Sequence, residues 1–200
     1  INGFNGNMGQ AIQAQCKQFD FMALDFQAKA INLNDISAVI DFSSPAGFIE
    51  CVNYCIEHNL PLISGTTGFS EEHLSLISIA KKSIPILIAS NMSLGIANLK
   101  RSMEEYLLSI SISSKCRIIE IHHTKKKDSP SGTALDISRF LENLFESKID
   151  GPIEIQSHRI GNIFGMHRIE FENANGTTTF QHIANSRNIF AKGALEASRW

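Results

Sequence analysis

Residues 121–136 read IHHTKKKDSPSGTALD and gather two histidines, three lysines, an aspartate and a Ser-Pro-Ser-Gly-Thr run into one short stretch. Histidine exchanges a proton near neutral pH, and lysine supplies a compact cation. A helix that starts on a serine leaves backbone N–H groups at an electropositive end, where carboxylate or phosphate binds. Ser129 is the expected N-cap, with Pro130 at the first helical position, where proline is favoured. The N–H groups of Ser131, Gly132 and Thr133 would then project toward a ligand. If the strand before it runs into the histidines, His122 and His123 face opposite sides, and Lys126 follows His122 at a distance that lets both approach one substrate. The chemistry implied is proton transfer to a bound anion. A lysine-rich solvated turn before a capped helix has the same residue types, and Lys125 and Lys127 are read that way.

A second constellation opens the chain. NGFNGNMGQAIQAQ carries Gly3, Gly6 and Gly9 immediately before a helical pattern. A pyrophosphate needs backbone close to it and helix N–H groups aimed at it, and side chains at these positions would obstruct both. In dinucleotide-binding folds an acidic residue at the end of the second strand takes the ribose hydroxyls, and Asp25 in FMALDFQ is the candidate. Phe26 follows it where an arginine would suit a 2′-phosphate, which leans toward NAD(H), with Lys29 still able to reach a phosphate. SGTTGF at 64–69 and ASNMS at 89–93 follow strand-like runs and offer backbone groups, the Thr66 and Thr67 hydroxyls and the Asn91 carboxamide. Each of these loops could equally be turn or cap chemistry.

These loops need a scaffold that brings them to one edge. Residues 36–42, 60–64 and 84–90 are apolar and β-branched, and they alternate with helical spacing after Pro45 and after the N-cap candidate Ser70. Such alternation predicts a doubly wound parallel sheet, whose ligands sit at the carboxyl ends of its strands. A helix near residues 94–108 and a strand at KCRIIEI lead into the histidines, and an amphipathic helix follows them. Beyond residue 153 the pattern is strand-like, with Asn-Gly at 175–176 as a hairpin signal. The expected fold class is α/β, a Rossmann-like domain followed by an α+β domain with an open mixed sheet, hinged near SNMSLG.

Composition narrows the partners. The chain has 200 residues, 43% of them hydrophobic, and a formal net charge of −2. That gives no general attraction to nucleic acid or an anionic membrane, no aromatic platform accompanies the lysines, and no apolar run is long enough to span a bilayer. Four scattered cysteines suit reduced core thiols in a cytoplasmic protein better than a disulfide framework. Cys51, Cys55 and His58 lack a second ligand pair, so no metal is expected. The chain opens without methionine and is read as a fragment or as part of a longer polypeptide.

Taken together, the motifs resemble the 4-hydroxy-tetrahydrodipicolinate reductase (dihydrodipicolinate reductase) family, which serves the diaminopimelate route to lysine in bacteria and plants. The likeness runs in order through GFNGNMG, VIDFSSP, SGTTGF, SNMSLG, EIHHTKKKDSPSGTAL, HRIGNIFGMH, FQHIANSR and FAKGAL. Its most specific part is the His-His-x-x-x-Lys-x-Asp-x-Pro-Ser-Gly-Thr-Ala element. The resemblance implies a dinucleotide domain over residues 1–93 and 188–200 and a substrate and tetramerisation domain over 94–187. It implies NADH or NADPH held by Gly3, Phe4, Asn5, Gly6, Asn7 and Met8, by Asp25, by Gly65, Thr66 and Thr67, and by Ala89, Ser90, Asn91 and Met92. His122 and Lys126 match the proton-transfer pair, while His123, Gly132, Thr133 and Arg187 match positions that bind a cyclic dicarboxylate. A homotetramer is implied, with no nucleic-acid or membrane partner. The segment between Gly9 and Val39 is short for the family, Met166 stands where a glutamate is frequent, and the chain stops at Trp200 where the family continues. Two other readings are a different Rossmann oxidoreductase acting on a small acid and a dinucleotide-binding module without catalysis.

Overall fold

Three short parallel strands, β1 (Val39–Asp41), β2 (Leu62–Ser64) and β3 (Ile86–Ile88), pair in that order. They belong to the first of two units, which consists of Ile1–Met92 and Arg187–Trp200; Ser93–Ser186 form the second. The computed structural model describes residues 1–28 and 32–199. In the first unit the inward positions alternate between faces. Val39 and Leu62 pack with Phe48, Val52 and Cys55 of α2 (Pro45–Glu57) and with Ile77 and Ala80 of α3 (Glu71–Ala80). Ile40 and Ile63 pack with Ile12 and Cys16 of α1 (Asn7–Cys16) and with Ala191, Ala194 and Leu195 of α6 (Asn188–Ala197). Helices therefore cover both faces of a parallel sheet, as the alternating pattern predicts. Each fully buried Ile, Leu or Phe contributes about 1.5–3 kcal/mol to holding this arrangement.

Local chemistry sets the helix starts. Ser44 accepts from the Gly47 N–H at 3.2 Å with Pro45 at the first position, and Ser70 and His73 form a reciprocal capping box. The strand expected to carry Asp25 does not form. Residues 22–26 run extended beside Ile1, joined by Ile1 N to Leu24 O at 2.6 Å and by Phe26 N to Ile1 O at 3.1 Å. Asn2, next to Ile1, is bridged in parallel to Asp41. Lys29 lies outside the described residues.

The second unit pairs β5 (Glu154–Arg159), β4 (Lys115–His122), β6 (Met166–Asn173) and β7 (Gly176–Ile183) in that spatial order. β4 and β5 are parallel and the other pairs antiparallel, giving the expected mixed sheet. Asn175 sits in the β6–β7 turn, and Gly176, at φ +122, opens β7. One sheet face is covered by α4 (Leu94–Ser109) and α5 (Gly132–Phe145). Cys116 and Ile118 of β4 and Ile169 and Phe171 of β6 meet Leu99, Met103 and Leu107 of α4 and Ile137 and Leu141 of α5. Along β4 the inward positions are 116, 118, 120 and 122, so the strand that begins as core ends by burying Glu120 and His122.

Candidate active site

The polar end of the second unit follows from strand register. Ser157, Glu120, His167 and His182 are cross-strand neighbours on β5, β4, β6 and β7. With side chains alternating between faces, this row continues the apolar inward columns below it. Glu120 is 0% exposed and His167 2%. Two serines that cap helices reach the same row. Ser131 Oγ lies 3.3 Å from His167 Nε2 and Ser93 Oγ 3.5 Å from His182 Nε2.

Glu120 collects four donors. His122 Nδ1 hydrogen-bonds to its Oε2. Arg159 contributes Nη1 to Oε2 at 3.0 Å and Nη2 to Oε1 at 2.9 Å, a bidentate pair. The Ser131 N–H donates to Oε1 at 3.1 Å. Burial alone would raise this carboxyl, but hydrogen bonds from His122 and Arg159 outweigh it and hold it at about 2. On the other side of the His122 ring stands Gly165, at φ +154; a Cβ there would lie 3.0 Å from His122 Nε2. Glycine accepts this backbone conformation and puts no side chain against Nε2.

His167 is pushed the other way. Burial, followed by the charge of His122, lowers it from 6.5 to about 3. The unfolded chain therefore binds more protons than the folded one between these values, so stability is complete above pH 6.5 and is lost as pH falls toward 3. Glu120 acts in a lower window, its contribution present above 4.5 and lost as pH falls toward 2. Urea titrations of the chain should show a loss on the order of 3 kcal/mol between about pH 6.5 and pH 4, and His167→Gln should flatten that slope. An equal slope in the variant would show that His167 does not carry it.

The loop between β4 and α5 differs from expectation at one point. Ser131, not Ser129, is the N-cap of α5, with its Oγ accepting from Ala134 N at 3.2 Å. Its own N–H is taken by Glu120 and so does not project toward a ligand. The physical reason is tertiary: a buried carboxylate claims that donor and shifts the helix start past Pro130. Lys126 Nζ sits 2.8 Å from Asp128 Oδ2. Partial burial raises the Asp128 carboxyl, but hydrogen bonds from Lys126 and from the Gly132 backbone outweigh it and place it below its ordinary value. Arg159 also donates to the Asp128 carbonyl, joining this loop to Glu120.

In the first unit the glycine loop leads into α1, whose N-cap Gly6 makes no side-chain cap and whose first turn holds no acid. Its leading N–H groups lack intrahelical acceptors by geometry. Gly3 takes φ +82, and a Cβ on it would stand 2.5 Å from Phe42 O. This backbone cradle fits a dinucleotide pyrophosphate. Beside it Asp41, 0% exposed, accepts from Asn2 Nδ2 at 2.8 Å, Ser43 Oγ at 2.5 Å, Ser64 Oγ at 2.7 Å and Thr66 Oγ1 at 2.7 Å. The Thr66 hydroxyl is thereby committed within the protein. Ser90 Oγ is enclosed and makes no hydrogen bond among the described residues.

A family model described as dihydrodipicolinate reductase, N-terminus, matches residues 17–92, and one described as dihydrodipicolinate reductase, C-terminus, matches residues 95–200. The chain belongs to the dihydrodipicolinate reductase family. Among relatives named 4-hydroxy-tetrahydrodipicolinate reductase, that of Alkaliphilus oremlandii is 36% identical over 218 residues, covering 100% of this chain and 90% of the relative. That of Rickettsia canadensis is 34% identical, covering 100% of this chain and 90% of the relative. The solved dipicolinate-bound dihydrodipicolinate reductase from Paenisporosarcina sp. TG-14 shares the fold, with a TM-score of 0.74, 22% identity, and coverage of 99% of this chain and 92% of that one.

Within this reductase-family fold, His122, His123, Lys126, Gly132 and Thr133 all lie in the second unit, around the β4–α5 loop. Arg187 lies in the first unit as the N-cap of α6. Gly3, Phe4, Asn5, Gly6, Asn7 and Met8 form the loop and first turn of α1; Asp25 accepts from Gln27 N at 3.1 Å. Gly65, Thr66 and Thr67 follow β2, and Ala89, Ser90, Asn91 and Met92 follow β3. Sequence reasoning missed Asp41, Glu120, Arg159, His167 and His182 as parts of these networks. For Glu120 a signal existed, because it occupies an inward position between Ile118 and His122.

Proposed function

We propose that this chain reduces 4-hydroxy-tetrahydrodipicolinate to tetrahydrodipicolinate with a nicotinamide dinucleotide, a step of lysine biosynthesis in the cytoplasm. One observation carries the reading: Lys126, His122 and the N-terminus of α5 occupy a single segment of the second unit, so proton donors and an anion-binding helix end are held together. When bound, the reduced nicotinamide supplies hydride. Lys126 and His122 are the acid groups that protonate the electron-rich carbon of the substrate. His123, Thr133 and Gly132 hold its carboxylates at the start of α5.

Gly3, Phe4, Asn5, Gly6, Asn7 and Met8 would hold the pyrophosphate, with Gly65, Thr66, Thr67, Ala89, Ser90, Asn91 and Met92 around the nicotinamide. NADH is the preferred donor in this reading, because the Asp25 carboxylate repels a 2′-phosphate and no arginine follows it. A homotetramer built on the outer face of the second sheet is supported by the apolar rung of Ile121, Met166 and Ile183, the last 51% exposed. Among the described residues no helix is long and apolar enough to cross a membrane.

The test is a reduction assay with freshly generated 4-hydroxy-tetrahydrodipicolinate, followed by oxidation of NADH or NADPH. Turnover with a higher kcat/KM for NADH is the expected result. Nucleotide binding without oxidation would leave only a binding module, and turnover confined to other small acids would reassign the substrate. Light scattering of the same preparation tests the tetramer.

A further inference from the structure

Glu120 is a fully buried titratable group of the second unit that the proposed reaction does not use, yet His122, Arg159 and the Ser131 N–H all converge on it. We propose that Glu120, with Arg159 as its counter-ion, is a positioning residue that holds His122 with Nδ1 protonated and Nε2 presented for proton transfer. Nδ1 is engaged by Glu120 Oε2, so the proton of a neutral ring resides on that nitrogen, and Nε2 becomes the one that gains and loses a proton. Nε2 lies beside Gly165, which has no side chain to crowd it.

Arg159 makes the arrangement rigid. Its two nitrogens span both Glu120 oxygens, which fixes the plane of the carboxylate. The same guanidinium donates to the Asp128 carbonyl, and Asp128 pairs with Lys126. Both proposed acid groups are thereby referred to one buried carboxylate, His122 directly and Lys126 through the loop. The Ser131 N–H on Oε1 adds the start of α5 to the same fixture. Neither Glu120 nor Arg159 transfers a proton in this scheme.

The proposal rests on the reductase reading only for what His122 does, and its test separates the two. Nitrogen-15 NMR of the full wild-type chain, with histidine side chains assigned, should show the His122 Nδ1 protonated throughout a pH titration, with only Nε2 changing. A neutral His122 carrying its proton on Nε2 overturns the proposal whatever the activity. In Glu120→Gln the carboxamide presents a donor where one oxygen accepted. The Nδ1–H signature should be lost or mixed, kcat should fall at least about tenfold, and KM for NADH should stay within about twofold. A folded Glu120→Gln chain with unchanged tautomer and unchanged kcat also overturns it. If that variant does not fold, the wild-type spectrum decides. A correct tautomer in a chain that fails to reduce the substrate would sink the functional reading and leave the positioning intact.

Discussion

Lys126→Ala is expected to lower kcat by about 10²- to 10⁴-fold, the range by which a positioned general acid accelerates proton transfer. NADH affinity, read by fluorescence titration, should remain within about twofold, because an interaction made in the transition state is lost and not one made with the nucleotide. The two neighbouring lysines are built-in controls. Lys125 and Lys127 are exposed, while Lys126 is half-buried and paired with Asp128 at 2.8 Å. Their alanine variants should turn over at the wild-type rate. If all three variants lost activity together, the stretch would be acting as a general electrostatic patch. If Lys126→Ala kept near-normal turnover, the proton would come from elsewhere.

Gly9→Ala is expected to cost at least about tenfold in nucleotide affinity and about 1–3 kcal/mol in stability. A Cβ on Gly9 would lie 2.3 Å from Gly3 O and 2.4 Å from Phe4 O. Both are backbone atoms, so no side chain can swing aside; the turn itself must open, and with it the cradle at the head of α1. Gly6→Ala supplies the graded comparison, since its Cβ would meet only Gly3 O at 3.2 Å. NADH titration and thermal melts of the two variants should rank Gly9 well above Gly6. Equal, small effects would mean that the loop rearranges freely and that its tight turn is not what binds the nucleotide.

What could be read in the sequence was local chemistry. Pro45 and the N-cap Ser70 announce their helices within a few residues, and the alternating strands and helices announce a parallel sheet covered on both faces. The β6–β7 hairpin was visible in Asn-Gly. Failures came where a distant residue decides. Residues 22–26 have a strand-like composition, yet they form no strand and meet Ile1 through two backbone bonds. Ser129 is the expected cap before Pro130, but Ser131 takes that place, with its N–H bonded to the buried Glu120 of β4. Arg159, 39 positions from Glu120 in sequence, carries no local mark of its role. The proton donors were legible as residue types, whereas the buried carboxylate organising them was legible only as an inward position in an alternating strand.

Asp41 has a consequence for how mutations combine. Its donors Asn2, Ser43, Ser64 and Thr66 come from three separate chain segments, the start of the chain, the loop after β1, and the end of β2 with the loop that follows it, and none of them carries a positive charge. Each loop is therefore held by an acceptor that the others also stabilise, and removing one donor changes what the remaining bonds are worth. Ser64→Ala and Thr66→Val should show a coupling energy in a double-mutant cycle, on the order of 0.5–3 kcal/mol for residues sharing one network. The same pair should become nearly additive in an Asp41→Asn background. Sequence drift in these loops is thus constrained as a set: a change tolerated at one position depends on which donors the other loops have kept.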